Sequence, residues 1–487
     1  MTNETATTVP ARVPAEVTDV RGPSADTALV AVAAALLVAA AGTVVAVPTD
    51  AAPTGDDIAF DAGVPESYDF EATDRPGVAT VDGEEFEALG PALDAAEPGD
   101  TVELRGRFDP EATVVVETPN VTIRGAAVGP DDHGSMPVVD GAGEGDVLAL
   151  NVSGVTLDGV WVRNSGYATE DNDAAVWVDG AGVTVRDSRI TDTTFGIWVD
   201  GVADARVVDN TIVGRDEISS RTDRGNGIQL YETADASVVD NRITDARDGI
   251  YYSWADGVTA RNNTLWDLRY GVHYMYSNDC RLVNNTAVDN DAGYALMLSE
   301  GLEILNNTAV NNTGQSGHGI LLKSIDHTTV RNNHVVGNEN GLFVYNSLDN
   351  EIARNLVAGN GAGVHLSAGS VRESVHHNTF ARNRVQVRAD VGEQVAWNES
   401  AGNYWAGAGA RDVDGDGVSE TRYRPAGMVQ HLTGEHPKAS AFTGSPAFEV
   451  VRLAERTLPV VKAPGVVDHR PLAEPPHDWR DYYDRSH

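Results

Sequence analysis

Met275 and Met297 stand 22 residues apart, and His273 lies two residues before the first of them. Two thioethers and an imidazole form a soft donor set, suited to Cu(I) and poorly suited to Mg, Ca or Mn. A Met pair also occurs as ordinary packing, so the set does chemistry only if the fold turns all three side chains the same way. A second candidate is Asp412-x-Asp414-x-Asp416-Gly417. Alternating carboxylates around a tight Gly turn open a calcium loop. Glu420 sits at the ninth position, but Tyr423 occupies the twelfth, where a bidentate Glu is expected. The run therefore fits either a calcium-stabilised turn or a merely acidic one. The lone Cys280 excludes an intramolecular disulfide and a multi-cysteine zinc site.

The positioning elements are visible as a repeat. A Gly-apolar-x-apolar segment recurs at Gly196, Gly227, Gly249, Gly271, Gly293, Gly319, Gly341 and Gly363. Between them comes an Asn, at 241, 263, 285, 307, 333, 355 and 378. No long 3.6-residue period exists to make a helical solenoid. Coils of about 22 residues with short strands predict an all-β, right-handed parallel β-helix. The Asn residues are expected to form a ladder inside it. "DGEEFEALGPALDAAEPGD", residues 82–100, predicts an amphipathic helix over 84–96 that caps the open N-terminal end. An irregular C-terminal extension follows the coils.

Strand alternation assigns faces. Positions one and three after each repeat Gly are apolar throughout and are assigned to the core, as is Tyr276. Positions two and four then point outward. They form a stripe holding His273, Met275 and Met297 with Trp198, Tyr231, Tyr251, Phe343, Tyr345 and His365. Cys280 is assigned to neither core nor site. On an acidic chain such a stripe marks a ligand or partner face, or a face that the C-terminal segment folds back to cover.

Composition bounds the rest. With 73 Asp and Glu against 35 Lys and Arg, the net charge of -38 excludes a nucleic-acid phosphate reader. Only three lysines occur, Lys323, Lys438 and Lys462, a balance suited to high salt and to an extreme halophile. Residues 1–27 read as a polar tail and 28–47 as an uncharged apolar segment long enough to span a bilayer. The latter is either an anchor or a removed signal, and in both cases the remainder lies outside the cytoplasm. Residues 48–75 read as a linker, 76–400 as the β-helix, 401–430 as an Asp-rich loop and 431–487 as a C-terminal helix and tail. Ser445 and Pro446 open that helix as N-cap and first residue.

"RYGVHYMYSND", "GYALMLS", "NYW…DVDGDG…YRP" and "SPAF…RLAERTLPVVKAPGVVDHRPL" follow one another behind the repeat. In this order they resemble the NosD family of nitrous oxide reductase maturation proteins, over roughly residues 80–472. The resemblance implies a non-enzymatic accessory protein outside the cytoplasm. Its implied partners are the ATPase and membrane subunits of an ABC transporter, a copper chaperone and the nitrous oxide reductase apoprotein. It makes His273, Met275 and Met297 a candidate transient copper site. It also makes Phe448, Val451 and Leu453 candidates for docking on the transporter. The alternative is a carbohydrate-binding or polysaccharide-processing β-helix, but no paired carboxylates face outward from adjacent coils. A structural or adhesive surface solenoid would leave the Met, His and aromatic stripe unexplained.

Overall fold

The computed structural model describes residues 58–126, 136–397, 400–429, 432, 437–442, 444–457 and 465–483. The apolar segment 28–47 lies outside the described residues. Among those described, no helix is long and apolar enough to cross a membrane.

The chain is a parallel β-helix. Successive coils contribute strands to three sheets of twelve, thirteen and fourteen strands, each strand pairing with its counterpart one coil on. The repeat glycines cause the tight coil geometry. A Cβ on Gly249 would lie 2.6 Å from the Gly271 carbonyl, and one on Gly271 would lie 2.6 Å from that of Gly293. After each glycine, positions one and three fill the core as expected. Ile250, Val272, Tyr294, Ile320, Leu342 and Val364 form one fully buried column in consecutive register.

The predicted Asn ladder is present and runs from Asn210 to Asn403. Asn263 Oδ1 accepts from both the backbone N and Nδ2 of Asn241, each at 3.0 Å. Asn263 Nδ2 in turn donates to Asn285 Oδ1 at 2.9 Å. A parallel ladder, five residues further along each coil, joins Asn290, Asn312, Asn338, Asn360 and Asn383. The ladders satisfy buried turn groups that would otherwise each cost about 1–3 kcal/mol.

Both ends are closed. At the start, helix Leu89–Ala95 buries Leu89, Ala92 and Leu93 against the first strands. It is shorter than the expected 84–96, because Glu84–Phe86 pairs antiparallel with Val78–Val81 instead. At the other end, strand Gly465–Asp468 joins Gln394–Trp397 and Tyr423–Ala426 in a small sheet. Asp468 terminates the Asn ladder there, accepting from Asn403 N at 2.7 Å and Trp405 Nε1 at 2.8 Å. Trp397 and Trp405, both buried, lie over the last coil.

Residues 58–75 depart from the linker expectation. They run as a strap along the outer face of the thirteen-stranded sheet, placing Ile58, Phe60 and Tyr68 on the column Trp266, Val288, Val310 and Val336. Arg242 fixes the strap, donating to Gly63 O at 2.8 Å and to Tyr68 OH at 3.1 Å. The C-terminal tail returns to the same face, where Tyr482 stacks on Phe60 and Ile58 bridges to Tyr483. These apolar contacts have irregular spacing, which is why they escape a search for periodicity. Among the described residues the tail thus covers the thirteen-stranded sheet and not the Met and His stripe, which belongs to the twelve-stranded one.

Candidate functional site

The stripe is carried by strands Asp248–Ser253, Tyr270–Met275, Ala292–Glu300, His318–Asp326, Asn340–Tyr345 and Ala362–Leu366. Met275 and Met297 are in register on adjacent coils, followed by Lys323 and Tyr345. His273 lies in the neighbouring column, between Tyr251 and Ala295. Adjacent parallel strands run about 4.8 Å apart, so the three soft donors occupy one small area of the sheet.

His273 faces outward but is not exposed, contrary to the simple alternation argument. It is only 8 % accessible, because the rings of Tyr251 and Tyr270 pack edge-on against it with centroids at 4.7 and 5.1 Å. Its Nδ1 lies 2.9 Å from Asp248 Oδ2. Arg269 binds the same carboxylate through Nε at 2.8 Å and Nη2 at 2.5 Å. Burial alone would raise the pKa of Asp248, which is fully buried. The hydrogen bonds from His273 and Arg269 outweigh that effect and hold it below the ordinary carboxylate value.

An Nδ1–H pointed at a carboxylate places the lone pair of the neutral ring on Nε2. That atom is buried and has no hydrogen-bond partner among the described residues. A carboxylate–histidine pair with the far nitrogen left free is the usual outer-shell arrangement of a metal-binding histidine. The residues therefore fit a soft metal: an oriented imidazole with a vacant donor atom beside two half-buried thioethers.

Asp248 and Arg269 were not singled out from the sequence. Both Asp248 and Tyr270 stand just before a repeat Gly, a position that strict alternation assigns to the core. The inward-pointing glycine breaks the alternation, so the preceding residue also falls on the outer face. A polar residue in that column is the signal that could have found Asp248; Arg269 lies one residue before Tyr270, outside it.

The other stripe residues divide into groups. Trp198 is buried, stacked on Trp177 at 5.3 Å and touching Tyr231 at 6.5 Å. Phe343 stacks on His318 at 4.8 Å and meets His365 edge-on at 4.6 Å. His365 Nε2 lies 2.9 Å from Asp390. Burial, with His365 nearby, pushes His318 down to about 4. Tyr345 is exposed. None of these joins the His273 set.

Two sequence assignments are corrected. Cys280 is a core residue, fully buried, with Sγ 3.2 Å from the Ala255 carbonyl. Tyr276 is not in the core. It is 44 % exposed and adopts a left-handed backbone with φ 55°. Trp254 (φ 51°) and Leu298 (φ 54°) do the same on the adjoining coils. Trp254 and Tyr276 stack at 5.3 Å and 9°, forming an exposed aromatic ledge beside Met275. Bulky side chains in this conformation carry strain of about 1–2 kcal/mol each.

In the Asp-rich loop, Asp412, Asp414 and Glu420 bring oxygens within 4.8 Å of one another. Asp416 departs from the expected set and pairs with Arg470 at 2.8 Å. Asp412 accepts from the backbone N of Gly417 and Gly415, which holds its pKa low. These bonds close the turn. Helix Pro446–Thr457 has the expected start, with Ser445 O accepting from Glu449 N at 3.2 Å. Phe448 and Val451 are half-buried, while Leu453 and Val450 are exposed.

Residues 208–409 match the model of a family described as "Periplasmic copper-binding protein (NosD)". The match spans the coils that carry His273, Met275 and Met297. A "Probable ABC transporter binding protein NosD" of Pseudomonas aeruginosa is 40 % identical over 355 residues, covering 69 % of this chain and 82 % of that protein. Its namesake in Stutzerimonas stutzeri is 35 % identical over 357 residues, covering 70 % and 81 %. Among solved structures, the complex of alginate lyase AlyF-OU02 with G6 is 15 % identical with a TM-score of 0.44, covering 64 % of this chain and 86 % of that one. Identity at this level over most of two relatives, together with a family match across the coils of the site, settles the assignment: the chain belongs to the NosD family.

Proposed function

We propose that this protein takes up Cu(I) outside the cytoplasm on His273, Met275 and Met297, and passes it on as cargo during maturation of nitrous oxide reductase. The observation that carries this reading is the buried, unpartnered Nε2 of His273, with its ring held by Asp248 and two in-register methionines beside it. Three soft donors hold Cu(I) while leaving room for an incoming ligand from a partner, which suits transfer better than storage. Cu(I) would bind through the His273 Nε2 lone pair and the two sulfur atoms, with Asp248 fixing the imidazole tautomer.

The names of the relatives support association with an ABC transporter. The exposed residues Val450 and Leu453 of helix Pro446–Thr457, with the half-buried Phe448 and Val451, supply a surface for it. The exposed ledge of Trp254 and Tyr276 borders the methionines and fits the face of a copper-delivering or copper-receiving protein. The same flat rings would also fit a sugar, and this is the second reading. The Asp412, Asp414 and Glu420 cluster takes calcium in this proposal only as a stabiliser of its turn. An N-terminal anchor at 28–47, or export through it, places the chain on the required side of the membrane.

The test is competition for Cu(I) against a coloured chelator. Met275→Ala with Met297→Ala is expected to leave the fold intact and to weaken Cu(I) binding at least about tenfold, as for loss of supporting ligands elsewhere. Unchanged affinity would remove the copper site. Copper-independent binding of an oligosaccharide, abolished by Trp254→Ala, would favour the second reading. A deletion strain whose nitrous oxide reductase still carries its full copper and sulfide complement would remove the maturation role.

A further inference from the structure

Two arginines are buried beside an insertion in a chain whose acidic residues outnumber its basic ones by 73 to 35. Arg215 is 2 % exposed and Arg224 is 8 % exposed. They flank the segment that lengthens the coil between Gly196 and Gly227. Arg215 Nη2 donates to the backbone carbonyls of Ser165 at 2.9 Å and Asp192 at 2.7 Å. Its guanidinium lies 3.5 Å from the centre of the Tyr167 ring. Its Nε and Nη1 are buried and have no hydrogen-bond partner. Among the described residues, no carboxylate forms an ion pair with it. Arg224 donates to the carbonyls of Ile218, Asp245 and Asp216, and its ion-pair contact with Asp245 is long, at 3.8 Å.

A buried charge without a counter-charge is costly, and such groups are normally paired. Carboxylates are the commonest charged side chains of this molecule, yet among the described residues none forms an ion pair with Arg215. Burial also draws its pKa below the ordinary guanidinium value, against the opposing pull of Tyr167, Glu217, Asp192 and Asp173, which act on it without forming an ion pair. Both arginines line a single small pocket with Tyr167, Thr193 and Thr194. The pocket has room for about one water-sized occupant. One carboxylate, Asp223, is also in the lining, but it is exposed and pairs with neither arginine.

We propose that this pocket binds a small inorganic anion of chloride size, with Arg215 as its counter-charge and Tyr167 as its lid. The two buried guanidiniums set the sign of the occupant. The space available sets its size and excludes phosphate-sized groups. The bound anion holds the insertion against the coil of the copper site, where Arg247 N donates to Gly225 O at 2.7 Å and Asp248 N to Asn226 Oδ1 at 3.3 Å.

Crystals of the chain soaked in sodium bromide test this directly. An anomalous bromide peak against Arg215 and Tyr167 is expected, and water density there with no bromide would overturn the site. In solution, the wild-type chain is expected to melt several degrees higher in sodium chloride than in sodium gluconate of equal ionic strength, since a bound ligand stabilises the folded state. Arg215→Gln should abolish that difference. Equal melting of the wild type in the two salts would also overturn the proposal. If Arg215→Gln does not fold, the bromide map of the wild type decides alone.

Discussion

The outer faces of the twelve- and thirteen-stranded sheets begin from the same arithmetic and end differently. Each carries outward columns rich in apolar and aromatic side chains, mixed with polar ones on the twelve-stranded sheet. On the thirteen-stranded sheet the column Trp266, Val288, Val310, Val336, Ala358 and Ala381 is covered by the strap and the C-terminal tail. On the twelve-stranded sheet Met275 and Met297 remain accessible, and Trp254, Tyr276 and Leu298 stand out in strained backbone. An outward apolar column is therefore not in itself a sign of function. The informative feature is a column left open where the chain had segments available to cover its neighbour.

The largest effect that can sharpen this contrast lies beneath the open face. Asp248→Ala leaves Arg269 and His273 buried without their common partner, and should cost about 3–5 kcal/mol. Denaturant unfolding measures it. A loss below about 1 kcal/mol would mean that the cluster is not held as described.

On the covered face, Tyr482→Ala removes a half-buried ring from Phe60 and His334. The expected loss is about 2 kcal/mol, less than for a fully buried aromatic, with Cu(I) affinity unchanged. Faster hydrogen exchange should be confined to residues 58–70 and the tail. A fall in copper affinity would couple the two faces and break the comparison.

The smallest effect is expected at the ledge. Trp254→Asn with Tyr276→Asn replaces bulky left-handed residues by one that tolerates that conformation. Thermal stability should stay the same or rise slightly, while copper exchange with a partner protein slows. Clear destabilisation would make the ledge a packing feature instead.

Much of the fold was legible in the sequence because a solenoid is governed by local rules. A 22-residue period brings equivalent residues into register, so the stacking of Met275 on Met297 and the ladder from Asn241 to Asn378 could be read directly. The second Asn ladder was equally periodic and went unread. Alternation failed at the repeat glycines, hiding Asp248, and at the left-handed turn that carries Tyr276 out of the core. It also described direction only, whereas the exposure of His273 depended on Tyr251 and Tyr270 closing around it.

The β-helix, its period, its core columns and the three soft donors on one face are all legible along the chain. Each of these follows from spacing along the chain. Packing in three dimensions settles, among the described residues, which face stays uncovered, that His273 is buried with its Nε2 unpartnered, and that Arg215 has no ion-paired carboxylate. Those depend on contacts between residues as far apart in the chain as Asp248 and His273, or Ile58 and Tyr483. Such contacts are fixed by packing and side-chain rotamers, which leave no period in the sequence to be read.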